Sequence, residues 1–169
     1  MEPHPRWKRR GSHRRRLDVP LQLRRRGPQG FDWEPGTERL ISTEHGPSGG
    51  DGPQGFDEVN EIREGANYGW PQVSYASHYG GEDIPDDHRE RGFEEPKVWW
   101  NPVISPGGLL IYSGDLFPGW KGDALLAALS GEALVRVDID GDSARKADRW
   151  PMEQRIRAVG SMVRTWPQW

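Results

Sequence analysis

Apolar residues in this chain come in short bursts separated by Pro-Gly, Ser-Gly and Asp-Gly steps, not in the long 3.6-spaced stripes of amphipathic helices. The bursts fall at residues 98–100, 109–112, 124–129 and 133–139. Earlier, Trp33, Leu40 and Ile41 flank a Pro35-Gly36 turn, which predicts a hairpin whose second strand, residues 39–43, ends in a glycine-rich loop. Short strands with turn signals every 8 to 14 residues or so predict an antiparallel all-β architecture, sandwich or propeller. The sequence Asp138-Ile139-Asp140-Gly141-Asp142 imitates the start of an EF-hand. Ser143 stands where its turn needs glycine and Arg149 where it needs glutamate, so it reads as a hairpin turn.

Composition supports that picture and divides the chain. Its 22 glycines and 15 prolines are nearly double ordinary usage and leave little room for long helices. With no cysteine, disulfides, thiolate metal sites and cysteine nucleophiles are excluded. No apolar run reaches membrane-spanning length, so no membrane span is expected. Ten Lys/Arg crowd residues 1–26, which hides a remainder at −11 under the formal net charge of −3. That segment reads as a disordered basic arm or as sequence translated out of frame. Without interleaved aromatics or a recognisable nucleic-acid motif, no nucleic-acid partner is expected. The words Gly-Pro-Gln-Gly-Phe-Asp occur at residues 27–32 and again at 52–57. Their spacing is too short for a propeller blade and reads as two similar turns.

The loop at residues 44–57 carries the chemistry. Its glycines free the backbone to present carbonyls, and hard cations such as Ca²⁺ take carbonyl and carboxylate oxygens. A solvated glycine-rich loop is the plain alternative.

Ordered motifs tip the balance. EHGPSGGD at residues 44–51, DEVN at 57–60, GANYGWP at 65–71, WWNPVISPGG at 99–108, the run at 112–141 and RIRAV at 155–159 together resemble the soluble PQQ-dependent sugar dehydrogenases of the glucose/sorbosone dehydrogenase family. The resemblance covers residues 27–159 and leaves 160–169 as an unmatched tail. It implies an all-β fold, about three blades of a six-bladed β-propeller, from an exported protein (periplasmic or secreted), although no signal peptide is visible. It also implies PQQ and Ca²⁺ as cofactors, an aldose as substrate and a lactone as product, with the electron acceptor left open.

Residue by residue, the resemblance implies that the Gly46 and Pro47 carbonyls bind Ca²⁺ and that His45 lies beside PQQ. Asp57 matches a buried acid near the cofactor, with Asp51 competing for that role. Arg26, Arg155 and Arg157 match positions where guanidinium forks suit the quinone's carboxylates. If Arg155 and Arg157 share a strand, they point to the same face. Trp100 either stacks on the quinone or packs between blades. Leu129 matches a cofactor contact, while Ser130 replaces a lysine and Val103 a small hydroxyl residue. The family's catalytic histidine has no counterpart here. His4, His13, His78 and His88 read as solvated loop residues, so no catalytic base is assigned. A non-catalytic β-propeller binding domain that has lost the cofactor is the alternative function.

Overall fold

The computed structural model describes residues 27–47, 55–78 and 81–161. The arm at residues 1–26, including Arg26, lies outside them, as do Asp51 and residues 162–169.

The first sheet is a meander of four antiparallel strands in the order β1 (Pro28–Trp33), β2 (Leu40–Glu44), β3 (Asp57–Ile62) and β4 (Val98–Trp100). The second repeats that plan with β5 (Pro106–Ile111), β6 (Ala124–Ala128), β7 (Ala133–Asp140) and β8 (Ser143–Pro151). The Pro35-Gly36 hairpin forms as expected, with Trp33 opposite Leu40 and Gly36 in the left-handed region at φ 81°. Gly141, at φ 55°, turns β7 into β8, so the EF-hand imitation is indeed a hairpin. Among the described residues no helix is long and apolar enough to cross a membrane.

The core lies between the sheets. Alternate residues of a strand point to opposite faces, and Ile41, Val59, Val98 and Trp100 of the first sheet meet Leu109, Ile111, Leu126 and Val135 of the second. Every residue of β6 is buried, which is why its sequence, ALLAA, shows no polar alternation. Asp32 on β1 accepts the Ile111 N–H of β5 at 2.8 Å and so ties the two sheets together at their first strands.

Length alone suggested about three blades, whereas the described residues build two blade-sized sheets. Residues 63–97, polar and rich in turns, add no named strand to either ladder. They cover instead the face of the first sheet that points away from the second. There Tyr68 donates its hydroxyl to Glu61 O, and Tyr75 stacks between Trp99, with ring centres 5.4 Å apart, and His88, with ring centres 5.0 Å apart. This burial corrects one expectation: His88 is not solvated but 2% exposed, with Nδ1 3.0 Å from Asp86 O. The repeated hexapeptide is corrected too. Five residues of its first copy lie in β1, whereas of the second copy Asp57 opens β3 and residues 52–54 lie outside the described residues.

Candidate functional site

Strand β2 carries four consecutive buried residues, Ile41 to Glu44, to one end of the first sheet, where the chain turns out of the ladder at His45. The His45 N–H is held by Gly27 O at 3.1 Å, and its ring reaches across to the second sheet, with Nε2 2.9 Å from Pro106 O. Because a carbonyl only accepts, Nε2 is the donor in this contact.

The next residue, Gly46, donates its N–H to Asp57 Oδ1 at 3.0 Å. Here the backbone at Gly46 and Pro47 crosses that at Gly55 and Phe56 so closely that a Cβ on Gly46 would collide with Phe56 backbone atoms, and one on Gly55 with Pro47. Only glycine permits such a crossing. Among the described residues, neither the Gly46 nor the Pro47 carbonyl accepts a hydrogen bond. Two adjacent unspent carbonyls are a donor set that suits a hard cation. No group of three or more His, Asp or Glu side chains among the described residues could hold a metal, so such a site would rest on backbone oxygens.

Asp57 is 1% exposed, and its Oδ2 accepts the N–H groups of Ile104 and Ser105 at 2.7 and 2.6 Å. Ser105 sits at φ 51°, uncommon for a residue with a side chain. Its carbonyl accepts the Leu129 N–H at 2.9 Å, and its hydroxyl lies 2.8 Å from that of Ser130. Beyond Leu129, Ala128 O accepts the Ile156 N–H at 3.2 Å, which draws the segment at 155–159 alongside. A Cβ on Gly107 would lie 2.7 Å from Arg157 O, so this approach also depends on a glycine.

A continuous set of backbone contacts, the Asp57 carboxylate and the His45 ring thus links His45, Gly46, Pro47, Asp57, Leu129 and the segment that carries Arg155 and Arg157. The two arginines belong to no strand, contrary to expectation, because among the described residues this segment makes one backbone hydrogen bond to its neighbour, from Ile156, and no ladder. Both guanidinium groups are exposed and make no ion pair or hydrogen bond among the described residues. Trp100 is the direct cross-strand partner of Asp57, 8% exposed in the inter-sheet core, with Lys146 Nζ 5.4 Å from its ring centre. Arg26 lies outside the described residues.

Three features were missed from the sequence. Ser105 and Pro106 act through backbone geometry, and their only written signal is the Ser-Pro-Gly-Gly run. A buried polar pocket of about 20 Å³, room for roughly one water, lies between Glu44, Glu58, Ser74 and His88. Beside it, Asn60 Nδ2 donates to both Glu44 Oε1 and Glu58 Oε2 at 3.2 Å, across strands on which those two carboxylates are direct partners.

Known proteins share this arrangement of sequence and fold. A profile of the Glucose / Sorbosone dehydrogenase family matches residues 23–163. The chain is 33% identical over 138 residues to the aldose sugar dehydrogenase YliI of Escherichia coli K12, covering 79% of this chain and 36% of that protein. It superposes on a crystal structure of a glucose dehydrogenase with a TM-score of 0.66 at 32% identity, over 79% of this chain and 38% of that one. The PQQ-bound aldose sugar dehydrogenase of Streptomyces coelicolor matches with a TM-score of 0.55 at 30% identity, over 79% and 34%. The chain therefore spans little more than a third of the relatives it matches. With a profile match across most of its length and two four-stranded antiparallel sheets that superpose on a glucose dehydrogenase, the chain belongs to the glucose/sorbosone dehydrogenase family.

Proposed function

We propose that this chain forms the cofactor-holding part of a PQQ- and calcium-dependent dehydrogenase that oxidises aldoses to lactones. The observation that carries this reading is the pair of carbonyls at Gly46 and Pro47 that accept no hydrogen bond among the described residues, on the same contact network as two guanidinium groups unpaired among those residues. The PQQ-bound Streptomyces relative supports the choice of cofactor.

In this reading the Gly46 and Pro47 carbonyls hold Ca²⁺, a hard cation matched to oxygen donors. Arg155 and Arg157 grip carboxylates of the quinone with charge-assisted bonds. His45, fixed by Pro106 O, lies beside the cofactor, and Leu129 supplies an apolar contact. Bound PQQ supplies the two-electron acceptor that the side chains themselves lack. No residue of this chain is assigned as the base for the sugar hydroxyl.

The test is a titration of the chain with PQQ in the presence and absence of Ca²⁺, followed by absorbance, then by dye reduction with aldoses. Calcium-dependent quinone binding is expected. Absence of binding to both Ca²⁺ and PQQ would overturn the reading.

A second reading, a non-catalytic binding domain, draws on Ser130. Where relatives carry lysine, this hydroxyl is spent locally on Ser105 Oγ and, at 3.4 Å, on Val103 O. It predicts stable folding with no quinone binding.

A further inference from the structure

We propose that Asp57 is a positioning residue for the cation loop and not a contact of the cofactor, an inference that rests on reading the Gly46 and Pro47 carbonyls as calcium ligands. An ionised carboxylate only accepts hydrogen bonds. Asp57 accepts three, all from backbone N–H groups: Gly46 on Oδ1, Ile104 and Ser105 on Oδ2. At 1% exposure it faces protein amides and not open space. A quinone bearing carboxylates gains nothing from a further negative charge, whereas three converging amide dipoles do.

The consequence lies in what those amides belong to. With its N–H turned inward to Asp57, Gly46 follows a fixed path, and the next two carbonyls are the ones without partners among the described residues. The same carboxylate holds Ser105 at φ 51°. That turn presents Ser105 O to Leu129 N and Pro106 O to the His45 ring. One buried side chain therefore sets the cation loop, the histidine beside it and the Leu129 turn in a common frame. Outer partners of this kind orient metal ligands and commonly matter almost as much as the ligands do.

The internal repeat supplies the control. Asp32 closes the first Gly-Phe-Asp as Asp57 closes the second. Asp32 also ties the sheets, accepting Ile111 N–H at 2.8 Å besides Trp33 N–H of its own strand at 2.9 Å, but it bonds none of the described loop residues. Asp57→Asn and Asp32→Asn each put an NH₂ where amides now donate, so both lower stability. Only the first disturbs the loop.

The experiment compares the whole chain with D57N, D32N and the double variant D57N/S105G, in which glycine accepts the left-handed turn and recovers the fold if D57N alone is too unstable. Amide hydrogen exchange at Gly46, Ile104 and Ser105 reads the positioning directly, and calorimetric Ca²⁺ titration reads its effect. D57N is expected to speed exchange at Gly46 and weaken Ca²⁺ binding by about 10–100-fold. D32N should leave both unchanged, and S105G should restore the melting temperature of D57N without restoring the affinity. Equal effects of D57N and D32N on Gly46 exchange would overturn the proposal. If the unaltered chain binds no Ca²⁺, the calcium reading fails, and the exchange comparison still decides the role of Asp57.

Discussion

Glu61 and Lys97 meet at 3.1 Å at the mouth of a cleft of about 690 Å³, in a cluster where Arg39 and Arg63 also reach Glu61 at 3.2 and 3.4 Å. The same cations grasp the β7–β8 turn, Arg39 through Gly141 O at 2.6 Å and Lys97 through Asp142 O at 2.8 Å, so the cluster joins the two sheets. Burial pushes the Glu61 carboxyl up, but hydrogen bonds from Arg39, Lys97 and Arg63 outweigh it and hold the pKa at about 2, below the ordinary 4.5. A depressed carboxyl stabilises the fold fully above its unfolded value, and that contribution is lost as pH falls from 4.5 towards about 2. Glu61→Gln is therefore expected to lower stability at neutral pH by about 1–3 kcal/mol and to flatten the acid limb. Urea titrations at pH 7 and pH 3 check this; an unchanged acid limb in E61Q would show that the cluster is not the source.

The crossing of Gly46 and Gly55 yields a second expectation. Gly46→Ala and Gly55→Ala each force a methyl group into backbone that cannot retreat without moving the loop. Each is expected to cost about 1–3 kcal/mol and to weaken Ca²⁺ binding. Gly36→Ala serves as comparison: its Cβ would meet nothing within 4 Å, so it strains only φ and leaves the ion alone. Thermal melts with and without Ca²⁺ separate the two effects.

What the sequence made legible follows the same physics. The strands β4 to β7 announced themselves because their apolar bursts fill one inter-sheet core, and the Pro35-Gly36 and Gly141 turns because glycine was written at the positive φ. Strand β8, with Ser143, Arg145, Lys146 and Asp148, is a half-exposed outer strand whose polar residues carried no burial signal. The burial of His88 depends on residues 63–97 folding over the first sheet, a long-range event that local pattern does not encode. The loop at Gly46 was found through its motif, yet the work of Asp57 was not, because its three donors come from sites separated along the chain.

Arg155 and Arg157 allow binding to be separated from folding. Both are exposed and unpaired among the described residues, so Arg155→Ala and Arg157→Ala should leave stability within about 0.5 kcal/mol. Each removes a charge-assisted partner for a carboxylate, and PQQ affinity is expected to fall about tenfold or more per arginine. Gly107→Ala should reproduce part of the Arg157 loss, since its methyl presses on Arg157 O. Fluorescence quenching by PQQ measures all three, and unaltered affinity in the double arginine variant would remove these residues from the site.

Arg136 supports the far face of the second sheet, and its energetics are predictable from what its removal strands. The guanidinium bonds Asp123 Oδ2 at 2.5 Å and Asp148 Oδ2 at 2.7 Å while lying 5.1 Å from the centre of the Trp120 ring. Asp123 is nearly inaccessible, with its other oxygen on Ile139 N–H at 3.3 Å, whereas Asp148 is partly open to water. Arg136→Ala leaves a buried carboxylate without its cation and is expected to destabilise by about 3–5 kcal/mol. Asp148→Asn takes away only the solvated partner, for which about 0–1 kcal/mol is expected. Arg136→Lys should fall between them, since a single ammonium cannot span both carboxylates as the planar fork does. Guanidinium denaturation of the three variants tests this order, and a loss in D148N as large as that in R136A would mean that Asp123 does not need its cation.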